Sequence, residues 1–157
     1  MRFDDFDSQV CSVARAVQVL GDHWTVLVLR DVFNGVRRFA DLQRHLGIAR
    51  DVLAKRLGDL VDEGVLERVP YQEPGSRTRH EYQLTTAGRD LRPVLMALIA
   101  WGDAHRAAPG EPPVVVTHRE CGAPVGVQLV CEHGHVIERD TRLQLEPGAG
   151  ARPLARA

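Results

Sequence analysis

Two short clusters near the C-terminal end hold the residue types that bind soft metals: His118-x-x-Cys121-Gly, then Cys131-x-His133-Gly-His135. Thiolate and imidazole ligands in a pair of glycine-containing knuckles are how a small zinc ribbon replaces a core too small to form. Cys121, Cys131, His118 and either His133 or His135 would make the four-ligand set, although the second knuckle lacks the usual two-residue gap between ligands. The plainer alternative is a β-hairpin with unliganded cysteine and histidine. A third cysteine, Cys11, stands just before a helical pattern, and a thiol at a helix N-terminus is the more reactive thiolate. Charge supplies a third chemistry: seven cations between Arg30 and Arg56 face only Asp31, Asp41 and Asp51, in a chain whose net charge is -1. No carboxylate is spaced to act as a base beside the tail ligands, so these residues do not describe an enzyme.

The cations fall on residues 39–63, which read as two helices split by a tight turn at Gly47. Phe39, Leu42 and Leu46 recur at i, i+3 and i+7, and Leu53, Leu57, Leu60 and Gly64 at i, i+4, i+7 and i+11, so each helix has one apolar stripe. A helix pair with a short glycine turn is the helix-turn-helix pattern, or else an ordinary helical hairpin. Upstream, Ser12 is placed to cap a helix carrying Val13, Val17 and Leu20 and ended by Gly21. Asp22 can cap the next, HWTVLVLRDVF, whose Trp24, Leu27, Val28 and Val32 would form the back wall of the core before Asn34 and Gly35 end it.

Downstream the period changes to alternation. Residues 65–69 and 80–84 read as the arms of a hairpin with a long, mobile tip, separated by Pro70, Pro74, Gly75 and Ser76, with Arg77 and Arg79 on the returning side. A helix-turn-helix followed at once by such a hairpin is a winged helix. Thr85 or Thr86 can then cap a helix with Leu91, Leu95, Leu98 and Ile99 on one side through Trp101, which Pro93 must kink or restart. That apolar side is too long for one small domain to cover, and a second copy is the natural partner.

The predicted fold class is α+β, mainly α: a winged helix-turn-helix with flanking dimerisation helices and a small β-rich C-terminal tail. Residues 1–10 form a polar arm with Phe3 and Phe6 as anchors, 11–106 the winged and dimerisation domain, and 107–113 an Ala/Pro/Gly linker. Residues 114–145 form the tail, with β-like runs at 114–117, 125–130 and 136–139, and 146–157 are too rich in Gly, Ala, Pro and Arg to order. No apolar run reaches membrane-spanning length, and the start MRFDDFDSQV is acidic where a secretory signal would be basic. Three cysteines at irregular spacing do not make a disulfide framework, which fits a reducing compartment. A cytoplasmic protein is expected.

The segments CSVARAVQVLGDHWTVLVLRDVFNGVRRFADL, LAKRLGDLVDEGVLERV and HEYQLTTAGRDLRPVLMALIAWG, in this order, resemble the HxlR-type transcriptional regulators, a winged-helix group related to the MarR type. The resemblance implies a homodimer on double-stranded DNA, repressing or activating, joined through its terminal helices, with a recognition helix at 50–62 and a wing at 71–80. With Leu53 and Leu57 inward, a hundred degrees per residue turns Asp51, Ala54, Lys55 and Gly58 outward. Arg50 projects from the helix start, and Arg56 lies on a flank, where phosphate contact and an ion pair with Asp59 or Asp62 have equal claim. Arg37, Arg38, Arg77 and Arg79 suit phosphates, which set register and affinity rather than sequence. Ala49 stands where the family often has a capping Ser or Thr, at a cost of about 1 kcal/mol that Asp51 can offset through the helix dipole.

Some relatives carry an electrophile- or oxidant-responsive cysteine where Cys11 lies, so a redox or small-ligand signal is an expectation here, beside simple packing of the thiol. The operator should be near-palindromic, with half-sites one helical turn or a multiple apart. The winged domain needs no cofactor, and zinc would belong only to the tail. The competing reading is a winged module that binds another protein, with a metal-binding tail and the basic positions as a solvated face.

Overall fold

The computed structural model describes residues 7–106 and 112–153, and they form two compact units. Phe3 and Phe6 of the expected arm, and most of the expected linker, lie outside the described residues. Of the described residues, the first unit holds 7–89 together with 144–153, and the second holds 90–106 and 112–143.

In the first unit, α1 (Ser12–Leu20) is followed by α2 (His23–Phe33), α3 (Phe39–Leu46), α4 (Arg50–Asp62), β1 (Leu66–Tyr71), β2 (Arg79–Leu84) and the short α5 (Thr86–Arg89). Cys11, not Ser12, occupies the N-cap of α1 and contributes no side-chain cap, because the helix starts one residue earlier than the sequence suggests. Asp22 caps α2 as expected: its Oδ1 accepts from the N–H groups of Trp24 at 2.9 Å and Thr25 at 3.3 Å. The turn between α3 and α4 is left-handed at Gly47. Where α4 ends, Gly64 is also left-handed, while the Val65 N–H reaches Leu60 O and the Gly64 N–H reaches Val61 O. This pair of reversed bonds satisfies the last carbonyls and aims the chain into β1.

The core lies among these elements. Val28, Leu29 and Val32 of α2 meet Leu42 of α3, Ile48 of the turn, Leu53, Leu57 and Leu60 of α4, then Val65, Leu66 and Tyr82, all buried. Trp24 and Leu27, expected in the back wall, are only half-buried, and Leu29 takes the inner position. Asp31 is also buried, at 2% exposure. A carboxylate there requires charged partners. Arg30 donates from Nε at 2.9 Å and Nη2 at 2.8 Å to its Oδ1, and His45 Nδ1 lies 2.6 Å from its Oδ2, joining α2 to α3.

The hairpin is antiparallel, in register from Leu66 opposite Leu84 to Tyr71 opposite Arg79. It continues through Pro70, which an edge strand tolerates because the missing N–H removes no interior ladder bond. A further strand one residue wide lies beside β2: Arg38 bridges Glu81, and the Tyr82 N–H donates to Arg37 O at 2.9 Å. Thr85 Oγ1 accepts from the Gly88 N–H at 3.1 Å and donates to Gly64 O at 2.6 Å, so the hydroxyl caps α5 and fastens it under β1. Residues 146–153, from the stretch expected to be without order, include a turn at 149–150 closed by the Ala151 N–H on Gly148 O at 3.0 Å, and Arg152 O accepts the Asp7 N–H at 2.9 Å.

The second unit begins with α6 (Arg92–His105). Pro93 sits in its first turn, so the chain restarts there rather than kinking, and the missing N–H falls where a helix has no use for it. The remainder is β3 (Leu129–Val130) paired antiparallel with β4 (Val136–Ile137), and a bridge between Thr117 and Pro124. Of the expected runs at 114–117, 125–130 and 136–139, only residues 129–130 and 136–137 form a ladder, and residue 117 a single bridge. Met96, Ile99 and Ala100 of α6 share a hollow of about 210 Å³ with valines 114–116, 125 and 127. This explains why α6 groups with the tail, and why the boundary falls at residue 90 rather than in the expected linker.

Candidate nucleic-acid interface

Helix α4 buries Leu53, Leu57 and Leu60 and exposes the opposite side. Arg50, Asp51, Ala54 and Lys55 are exposed and Gly58 is half-buried, the facing that the hundred-degree step dictates. Ala49 at the N-cap has extended backbone and no side-chain bond to offer, and Asp51 supplies the one carboxylate of the first turn. The Arg50 guanidinium lies 5.4 Å from the centroid of the Phe39 ring, so the first residue of α3 supports the first of α4. Lys55 Nζ is 3.0 Å and 3.1 Å from the two oxygens of Asp59 one turn on, a pair that stays on the helix surface.

Arg56 does not share that surface. Its Nη2 donates to Asp22 Oδ2 at 2.9 Å and its Nη1 to Asp59 Oδ2 at 3.3 Å, with 24% of the side chain exposed. Of the two roles open to it from sequence, the structure gives it the intradomain pair, with Asp59 as foreseen and Asp22 in place of Asp62. Asp22 lies 34 residues away in sequence, and no local spacing could have pointed to it.

The other expected cations lie just before α3 and on the hairpin. Arg37, Arg77 and Arg79 are exposed, and among the described residues none of their side chains has a hydrogen bond or ion pair. Arg38 differs: Nη1 donates to Glu73 Oε1 at 2.7 Å, and the guanidinium lies 4.4 Å from the Tyr71 ring centroid. The hydrogen bond to Glu73 raises its pKa further, so Arg38 is a fixed cation. The wing tip is shaped by Gln72 Nε2 donating to Ser76 O at 2.8 Å and the Ser76 N–H to Glu73 O at 3.0 Å.

The metal-ligating candidates are less well gathered. His118 Nδ1 and Cys121 Sγ are 3.3 Å apart, and the rings of His133 and His135 have centroids 6.4 Å apart. Among the described residues, no three His, Cys, Asp or Glu side chains come together as a metal set requires. Each knuckle is instead closed on itself by backbone bonds, Gly122 N–H to His118 O and Gly134 N–H to Cys131 O. Cys11, Cys121 and Cys131 are all free thiols, and Cys11 is half-buried.

The family model of the HxlR-like helix-turn-helix matches residues 19–109, which take in every element of the interface just described. The chain belongs to the HxlR family. Among HxlR-like relatives, an uncharacterized HTH-type transcriptional regulator of Mycobacterium tuberculosis is 43% identical over 139 residues, 88% of this chain and 87% of its own. The candidate transcription factor PA1607, of known crystal structure, is 40% identical with a TM-score of 0.75 over 87% of this chain and 95% of its own. The redox regulator HypR, in its reduced form, is 27% identical with a TM-score of 0.55 over 61% of this chain and 94% of its own. Likeness to the first two therefore extends past the helix-turn-helix core. HxlR proteins are DNA-binding transcriptional regulators of the MarR-like winged-helix kind, not enzymes, and this chain is one of them. Among its described residues no helix is long and apolar enough to cross a membrane.

Proposed function

We propose that this regulator acts in the cytoplasm as a homodimer on a near-palindromic stretch of double-stranded DNA. Each copy would lay α4 in a major groove through Arg50, Asp51, Ala54 and Lys55, while Arg37, Arg77 and Arg79 hold phosphates. The carrying observation is the exposed start of α4, together with three exposed arginines, Arg37, Arg77 and Arg79, that pair with no carboxylate among the described residues. Guanidinium and ammonium groups can read guanine O6 and N7, and Asp51 can accept from cytosine N4. The dimer is supported by apolar surface that a lone chain leaves in water: Val13 and Val17 on α1 are 68% and 56% exposed, and Leu98 and Trp101 on α6 are 49% and 54% exposed. Fluorescence anisotropy with duplexes from the promoter of the protein's own gene, over a salt series and combined with sedimentation, tests both parts. The expected result is a dimer whose log affinity falls with log salt by about 0.9 per phosphate contacted. A monomer at micromolar concentration, or binding indifferent to salt, overturns the reading and leaves the protein-binding module in its place.

A signal through Cys11 fits this frame. HypR is a redox regulator with reduced and oxidised forms solved, and Cys11 is a free thiol at the N-cap of α1, beside Val13 and Val17. Alkylation or oxidation there would alter the surface on which two copies meet. Cys11→Ser should keep wild-type DNA affinity yet fail to release the duplex on treatment with diamide or methylglyoxal. Release matching wild type would end the idea.

A further inference from the structure

Of Arg37, Arg38, Arg77 and Arg79, Arg38 alone holds a carboxylate among the described residues. Glu73 lies 35 residues on, at the wing tip, and its Oε1 is 2.7 Å from Arg38 Nη1. Both side chains remain half in water, at 44% and 51% exposure, so the guanidinium is open to a competing anion from solvent. Tyr71 covers the guanidinium from the wing, and the bridge to Glu81 fixes the backbone beneath it. The pairs Asp41–Arg44 and Lys55–Asp59 are of another kind, since each spans one turn of a single helix and orders nothing beyond it. A carboxylate and a phosphodiester offer a guanidinium the same thing, a charged oxygen acceptor in hydrogen-bond range.

We propose that Glu73 is an internal competitor for the DNA phosphate at Arg38: the wing carboxylate occupies the guanidinium in the free protein and must be exchanged for phosphate on binding. It rests on the DNA-binding reading above. The exchange weakens binding to every duplex by the same factor, because phosphates are the same whatever the sequence. Glu73 thereby sets how much of the protein is lost to non-specific DNA, without taking part in base recognition. Release also frees the tip, so the wing can settle against the backbone only once Arg38 has changed partner.

Glu73→Gln, Arg38→Ala and the double variant, each checked by thermal melting to be folded, test this by anisotropy at low salt with a promoter duplex and one of unrelated sequence. Glu73→Gln should tighten both complexes about two- to fivefold, the range an exposed ion pair can contribute. In the Arg38→Ala background the same substitution should change nothing, since the coupling belongs to the pair. A wild type that binds DNA, with Glu73→Gln no tighter, overturns this proposal alone. Tightening that persists without Arg38 also overturns it, because Glu73 would then merely repel phosphates. If neither wild type nor Glu73→Gln binds any duplex, the DNA-contact reading falls and this one with it.

Discussion

Arg50→Ala is expected to weaken operator binding by about 10- to 100-fold per half-site and to relax the preference for one base pair, the loss that follows when a bidentate base contact is removed. The side chain is exposed at the start of α4 and supported by the Phe39 ring at 5.4 Å, so on the proposed reading it would reach the groove at little entropic cost. Truncation leaves the fold intact, because the buried stripe of that helix is Leu53, Leu57 and Leu60. Arg77→Ala on the wing should behave differently: affinity falls by a similar factor on every sequence, and the salt slope drops by about one per protomer. Anisotropy titrations on the operator and on single-base variants separate the two. An Arg50→Ala protein with wild-type affinity and base preference would remove this residue from the contact face.

The second large effect concerns stability. Gly88 is buried in α5, and a Cβ added there would lie 2.2 Å from Val65 O and 3.1 Å from Leu84 Cδ2. Val65 O already accepts the Thr85 N–H at 3.1 Å, so the backbone cannot retreat without breaking the joint between β1 and α5. Gly88→Ala should cost about 2–3 kcal/mol, in the range of overpacked cores, and lower Tm by roughly 5–10 °C. Gly58→Ala is the matched control: it lies mid-helix in α4, with nothing within 4 Å of the added carbon. There the substitution should stabilise by about 1 kcal/mol through helix propensity. Circular dichroism melts of the two variants should move in opposite directions. A Gly88→Ala protein melting with wild type would mean that α5 packs less tightly than the structure has it.

Where the sequence could be read and where it could not follows from distance along the chain. The Asp22 cap was legible because it depends on neighbours within one turn, whereas the bounds of α4 came with the family resemblance; of the two caps offered after β2, Thr85 serves, but on the short α5 and not on the long helix expected there. The outward residues of α4 follow from helical period alone. Arg56 was ambiguous because its deciding partner is on another helix. The burial of Asp31 was invisible for the same reason: nothing in HWTVLVLRDVF says that Arg30 will fold back on its neighbour while His45 arrives from α3. The strand at residues 37–38 was missed because one bridged residue has no period. Helix α6 looked like part of the winged domain because periodicity shows that a face is apolar, not what lies against it. In the tail, the spacing of Cys and His suggested one centre; the structure shows two turns, each closed by a backbone bond, and the distance between them could not be read from spacing.

The Asp22 carboxylate has a further consequence for how the molecule opens. One oxygen holds the first amides of α2, and the other holds Arg56 in the middle of α4. A fluctuation that lifts α4 from the body therefore strips the cation from the carboxylate that caps α2, and fraying at the start of α2 loosens the grip on α4. Helices meeting only through aliphatic side chains can slip independently by small steps. Two helices sharing one carboxylate tend to exchange their amide protons with solvent as a single cooperative block. Helix α4 thus shares the protection of the interior, although its outer side faces water.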